Sequence, residues 1–360
     1  DNQRPGGFRG VASFPQDKRA EHGYDNRADH LTLSPLLMES FLNLSQTISE
    51  SPDLNSKECR SWPWLFASPE NTTAEMMEEI IRSRLIKLLR RAFRRPVDPV
   101  TLDRFVKFAL DQRDAGETFE NTMRSVIGVV LSMPDFLYFY GDADPENPPN
   151  KSSDDKVIKE FELASRLALF FWSSIPDDRL LDLAAEGKLS DPNVLSSEID
   201  RMLNDHKSSR FCDNFPAQWL QLDRLITSVP DPKKFPYFYL VDGYRSSMHM
   251  MPEPLLLFET IFIEDRSIIE LLDPKYTWEN AMLKANYEGH AKAGHDVVTQ
   301  LFTRVPLSDP RRGGVISNAA VMTMTATPTR TQPITRGAWI NAVIFNDPPE
   351  PPPADIPPLP

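Results

Sequence analysis

The chain has 360 residues, 40% of them hydrophobic and 26% charged. That composition suits a packed chain of roughly two or three domains and excludes a disordered one. A net charge of −12 argues against general nucleic-acid binding, which needs a basic surface, and no apolar run reaches the ~18 residues of a membrane-spanning helix.

Proline is frequent, at 33 residues against 14 glycines, so segments should be short and sharply bounded. The chain opens at Asp1 with no start methionine and no signal peptide, which fits processing, truncation or a partial reading frame. The first thirty residues read as loop. "LSPLLMESFLNLSQTISES" then predicts a helix capped by Ser34, with Pro35 in its first turn and Leu37, Phe41 and Leu44 on one face. A loop follows, pinned by Trp62, Trp64 and Phe66. Thr73 opens the next helix, lined by Ile81, Leu85, Leu88, Leu89 and Ala92. Arg90, Arg91, Arg94 and Arg95 crowd its end and Pro96 stops it. Two more helices are expected near 99–113 and 117–132.

"GDADPENPPNKSSDD" is the clearest linker. Beyond it come an apolar helix in "KVIKEFELASRLALFFWSSIP" and a short one with Pro176 near its start and Gly187 after its end. "SDPNVLSSEIDRMLND" repeats the cap-then-proline opening. Further helices are expected near 208–221, 252–264 and 267–272, and few strands. From about 300 the pattern changes to one short helix in "RRGGVISNAAVMTMTA", irregular backbone beyond Thr325, and a last helical turn or two around "RGAWINAVIF". A polyproline tail covers 348–360. The expected fold class is mainly α, two helical blocks with an irregular C-terminal strap and a Pro-rich tail. The expected domains are a partial N-terminal module at 1–50, a helical module at 51–141, a linker at 142–155, a larger helical module at 156–299, and the strap and tail at 300–360.

Several stretches carry a family resemblance: "FPQDKRAEHGYDNRADHLTLSPLLMESFL", "RRAFRRPVD", "ELASRLALFFWSSIPDDRLLDLAAEGKLSDPNVL", "FPAQWLQL", "IEDRSIIELLDPKYTWEN" and "RGGVISNAAVMTMTATPTRTQPITRGAWI". Together they resemble the multi-module proteins with DUF1587, DUF1595, DUF1592 and DUF1588 modules that are associated with planctomycete cytochrome c proteins. The resemblance implies no settled activity. It implies c-type haem in flanking modules, an exported location in the periplasm or outside the cell, and a haem-free central portion of a redox-associated protein here. Such a portion would position a haem-bearing domain or partner oxidase on a substrate such as a polysaccharide. The alternatives are a carbohydrate-active enzyme in its own right and a structural or cell-surface assembly protein.

The residues themselves give no catalytic motif. Cys59 and Cys212 are the only cysteines, so the chain has no CxxCH for haem and no zinc ribbon, and whether the two are bonded stays open. "TATPTRTQPITRGAWI" leaves many carbonyls without helix partners, and Arg330 and Arg336 offer donors for them. The first reading is structural, with the arginines stapling the strap to the core through Glu259, a carboxylate set in apolar "LLLFETIFIE". The second is a ligand site, an anion or sugar cleft with Trp339 as an apolar platform. Met248, His249, Met250 and Met251 would suit a soft metal, but neighbouring helical residues point about 100° apart and do not converge. His290 and His295 lack the spacing of a zincin helix, and no metal site is expected.

Overall fold

The computed structural model describes Tyr24 and residues 34–70, 72–139, 153–239, 245–288, 301–307, 309 and 311–350, with backbone only at 153–157 and 237. Most of the expected linker at 142–155, the histidines at 290 and 295, and the tail beyond Glu350 lie outside these residues. The chain divides into two compact units, 1–18 with 27–202, and 19–26 with 203–360.

In the first unit, short polar caps start the helices. Ser34 accepts the Leu37 N–H at 3.1 Å to open α1 (Pro35–Ser49). After α2 (Trp62–Leu65), Thr73 caps α3 (Ala74–Phe93), Asp98 caps α4 (Pro99–Asp114) and Thr118 caps α5 (Phe119–Ser132). α6 (Pro134–Leu137) ends this bundle. The periodic apolar residues expected from the sequence form its core, with Ile81, Leu85, Leu89, Ala109, Met123 and Val126 wholly buried. Each large side chain so buried contributes about 1.5–3 kcal/mol. Phe66 joins that core, and Trp62 and Trp64 pack on it.

Arginines tie the loops of this bundle. Arg94, in the left-handed conformation at the end of α3 (φ 59°), is 8% exposed and donates to the carbonyls of Asp135, Phe136 and Tyr138 at 3.0, 2.9 and 2.7 Å. Arg84 serves Leu65 and Ala67, and Arg124 serves Ser49 and Leu54. The unit continues through α7 (Ser153–Trp172), α8 (Asp178–Ala185) and α9 (Pro192–Leu203). Trp172 is wholly buried and its indole N–H reaches the Met202 carbonyl at 3.0 Å. Buried Glu198 is held between Arg179 and Arg201.

The second unit holds α10 (Ser209–Trp219), α11 (Asp223–Thr227), α12 (Ser247–Met250) and α13 (Pro252–Ile263). A 3-10 turn at Ile268–Leu271 leads into β1 (Tyr276–Glu279) and α14 (Ala281–Tyr287). β2 (Thr303–Pro306) then runs antiparallel to β1, Tyr276 opposite Pro306 and Glu279 opposite Thr303. α15 (Gly314–Ser317), α16 (Ala319–Met324) and α17 (Pro333–Val343) complete it. Met251, between α12 and α13, keeps helical angles (φ −63°, ψ −42°), so 247–263 is nearly one helix. The core gathers Phe211, Leu220, Leu257, Phe258, Leu283, Val321, Trp339 and Val343, and the Trp219 indole donates to the Val343 carbonyl at 2.9 Å.

The protein is mainly α, with two strands among the described residues. The C-terminal segment is more regular than its prolines suggest. Two short helices occupy the stretch expected to hold one, and α17 runs for 11 residues rather than a turn or two. Pro333 does not break α17. It occupies the first turn, where a missing N–H costs nothing and the fixed φ favours the helix.

Candidate functional site

The densest buried polar cluster in the second unit centres on Glu253, in the first turn of α13. It is 2% exposed. Both its carboxyl oxygens are occupied. The Thr277 hydroxyl of β1 donates to Oε1 at 2.8 Å, and the Tyr287 hydroxyl at the end of α14 donates to Oε2 at 2.6 Å. The Tyr287 oxygen in turn accepts the Ala319 N–H of α16 at 2.6 Å. One carboxyl and one phenol thus join α13, β1, α14 and α16.

Arg312 supplies the nearby charge. Its guanidinium lies 3.5 Å from the centre of the Tyr287 ring, 2.9 Å from Glu279 Oε2 and 3.8 Å from Glu253 Oε1, and its Nε has no partner. The two following glycines make this placement possible. Gly314 has φ +64°, and a Cβ there would lie 2.6 Å from the Leu272 carbonyl oxygen and 2.7 Å from that of Leu271. Only glycine permits both the angle and the approach.

Burial sets the electrostatics. It raises the Glu253 carboxyl above its ordinary value, opposed by the Tyr287 and Thr277 hydrogen bonds and by the Arg312 charge. Burial, then the Glu253 charge, also raises the Tyr287 phenol. A proton held between these two groups stays within the protein, since Glu253 offers almost no surface to a substrate.

One turn before Glu253 on the same helical run, His249 is 5% exposed, and its Nδ1 lies 2.9 Å from the amide nitrogen of Asn280. The Asn280 amide oxygen accepts the Leu283 N–H at 2.8 Å as the cap of α14. That fixes the amide with its NH2 toward His249, so Nδ1 is the acceptor and Nε2 carries the hydrogen. This Nε2–H is buried without a partner, and burial lowers the imidazole pKa.

The residues singled out from sequence have other surroundings. Arg330 is exposed, and its guanidinium has no partner among the described residues. Arg336 is half-buried and donates to the Thr325 and Thr331 hydroxyls at 3.3 and 2.9 Å. Trp339 is 3% exposed in the core, its indole N–H unpaired. Glu259 is half-buried on α13, where burial and then the charge of Asp213 raise its pKa. Among the described residues no hydrogen bond or ion pair links any two of these four. Near Pro328 the strap is joined to the rest of the second unit by backbone, the Asp231 N–H donating to the Pro328 carbonyl at 2.7 Å.

Met248 is exposed while His249 and Met250 are buried, so Met248 points away from the other two. Both cysteines are free, Cys59 half-buried and Cys212 buried. Among the described residues no group of three His, Cys, Asp or Glu side chains could hold a metal ion, and no helix is long and apolar enough to cross a membrane. Sequence reasoning missed Glu253 because an acid in a helix's first turn ordinarily faces solvent and complements the dipole. The signal present was its spacing of four from His249, in a run of apolar residues and prolines.

Family models match four stretches of the chain, each described as a protein of unknown function. They are PSD3 (DUF1587) over 7–51, PSD5 (DUF1595) over 81–140, PSD4 (DUF1592) over 158–288 and PSCyt3 (DUF1588) over 312–360. The Glu253 cluster draws on both of the last two. No curated protein and no solved structure matches.

Proposed function

Because this chain belongs to the planctomycete cytochrome-associated family with the PSD3, PSD5, PSD4 and PSCyt3 modules, we propose that it is a haem-free scaffold within an exported redox system. It positions a haem-bearing domain or a partner oxidase against a substrate such as a polysaccharide. The observation that carries this reading is the closed state of the Glu253 cluster. Its carboxyl oxygens are both taken by protein hydroxyls, so the buried charge of the second unit serves to fasten elements together. Covalent c-type haem does not fit this chain. Its two thiols are far apart in sequence, and one of them is buried.

The test is recovery of the protein from fractionated planctomycete cells with an antibody against this chain, followed by haem staining. A haem-staining c-type cytochrome, on the same polypeptide or co-purified, in the extracytoplasmic fraction is the expected result. Recovery from the cytosol without haem would overturn the reading.

One arrangement favours a carbohydrate-active enzyme instead. Asp213 on α10 and Glu259 on α13 are carboxyls whose pKa values burial raises, and the charge of Asp213 raises that of Glu259 further. Release of reducing ends from a polysaccharide, lost on Glu259→Gln, would establish that alternative.

A further inference from the structure

We infer that the His249–Asn280 contact is a proton-operated latch on α14, closed while the imidazole is neutral and opened when Nδ1 takes a proton. The Asn280 side chain does two things at once. Its oxygen caps α14 through the Leu283 N–H, and its NH2 donates to Nδ1. A proton on Nδ1 sets two donors face to face at 2.9 Å. Turning the amide over to meet it removes the cap, because the NH2 then faces the Leu283 N–H. His249 and Asn280 are 5% and 4% exposed, so water does not stand in for the lost partner.

The opening reaches the Glu253 cluster through the far end of the same helix. Tyr287 closes α14, only two turns from Asn280, and holds both Glu253 and the Ala319 N–H. The latch therefore decides whether β1, α13 and α16 stay joined at that phenol. Among the described residues, the elements packed most against α12 are α13, α14 and α16. Their ionisable groups are Glu253, Glu259, Lys284 and Tyr287, with none on α16, and Arg245 precedes α12. None of these charges counters the effect of burial on His249.

The sign follows from linkage. The folded-state pKa of His249 is depressed by burial, so the unfolded chain binds its proton more readily. The contribution of His249 is present above its ordinary value of 6.5 and is lost as pH falls below it.

The experiment is urea unfolding of the full chain, followed by tryptophan fluorescence, from pH 7.5 to pH 5. It compares the wild type with His249→Gln, whose amide also accepts from Asn280 but does not titrate. The wild type should lose up to about tenfold in folding equilibrium per pH unit relative to the variant. Asn280→Asp keeps a cap oxygen for Leu283 and turns the other oxygen into an acceptor for a protonated Nδ1. Its dependence should reverse, with stability rising relative to His249→Gln as pH falls. An identical fall in wild type and His249→Gln overturns the latch, and that pair decides the matter even where Asn280→Asp does not fold.

Discussion

The Tyr287 hydroxyl lies 2.6 Å from Glu253 Oε2 and also accepts the Ala319 N–H at 2.6 Å, so one phenol oxygen is donor to a buried carboxyl and acceptor for the start of the next helix. Tyr287→Phe removes both bonds while keeping the ring under Arg312. Each buried group left unpaired costs about 1–3 kcal/mol. The variant should therefore unfold at clearly lower urea, with its Trp fluorescence spectrum at zero urea unchanged. A midpoint equal to wild type would mean that the cluster holds nothing together.

Glu253→Gln tests the same cluster through pH. The folded pKa of Glu253 is raised by burial, so its contribution is complete below the unfolded value of 4.5 and is lost as pH rises through the folded value. The stability difference between wild type and Glu253→Gln should shrink from pH 4.5 upward. Parallel pH profiles would refute the assignment. Glu253 and His249 thus press in opposite directions.

Glycine substitutions should separate three cases. At Gly314, alanine brings a Cβ within 2.7 Å of two backbone carbonyls at a positive φ, and loss of soluble protein or a large fall in stability is expected. At Gly187 (φ +65°) nothing crowds the site, so alanine should cost only the ~1 kcal/mol of the left-handed conformation. At Gly337, inside α17 with open space around it, alanine should stabilise by about 0.5–1 kcal/mol. Thermal unfolding of the three variants gives the order directly.

Arginine truncations should rank by their partners. Arg94→Ala strips three carbonyls of a buried donor and should cost about 2–4 kcal/mol, with Arg94→Gly about 1 kcal/mol less because glycine accepts φ 59°. Arg330→Ala should stay within about 0.5 kcal/mol. Equal effects at the two positions in urea titration would contradict this ranking.

Thiol labelling gives a further check. Burial, with the charges of Glu259 and Asp213, pushes the Cys212 thiol up to about 12, so almost no thiolate forms at pH 8. Ellman's reagent should read Cys59 first on the native protein and both thiols only after denaturation. Rapid native labelling of both would show that α10 opens readily.

Helix caps and apolar faces were legible in the sequence because they are local. Ser34, Thr73, Pro192 and Gly187 mark helix ends through chemistry confined to a few neighbouring residues. The full length of α17 is not legible in the sequence, because a proline at a first turn and a proline breaking a helix look alike until the upstream residue is seen extended, as Gln332 is. Arginines do serve stranded carbonyls in this protein, but not at Arg330 or Arg336. Arg84, Arg94 and Arg124 do so, whereas the Pro328 carbonyl of the strap takes a backbone donor, the Asp231 N–H. The Glu253 cluster was beyond local reading, since its members come from 253, 277, 287, 312 and 319 and meet only after the second unit has folded.

The Trp219–Val343 bond has a consequence for the birth of the protein. Its partners are 124 residues apart, and α17 brings Trp339 and Val343 into the core begun by Phe211 and Leu220. A ribosome adding about 5–20 residues per second needs several seconds to pass from one to the other. Until α17 is made, Phe211, Phe258 and their neighbours lack Trp339 and Val343 from their core, while the bundle of residues 35–137 already has the buried side chains of its own core in hand. The nascent second unit is therefore the part of this chain that calls for a chaperone, and a stop codon placed before Pro333 should yield aggregate rather than a shorter soluble protein.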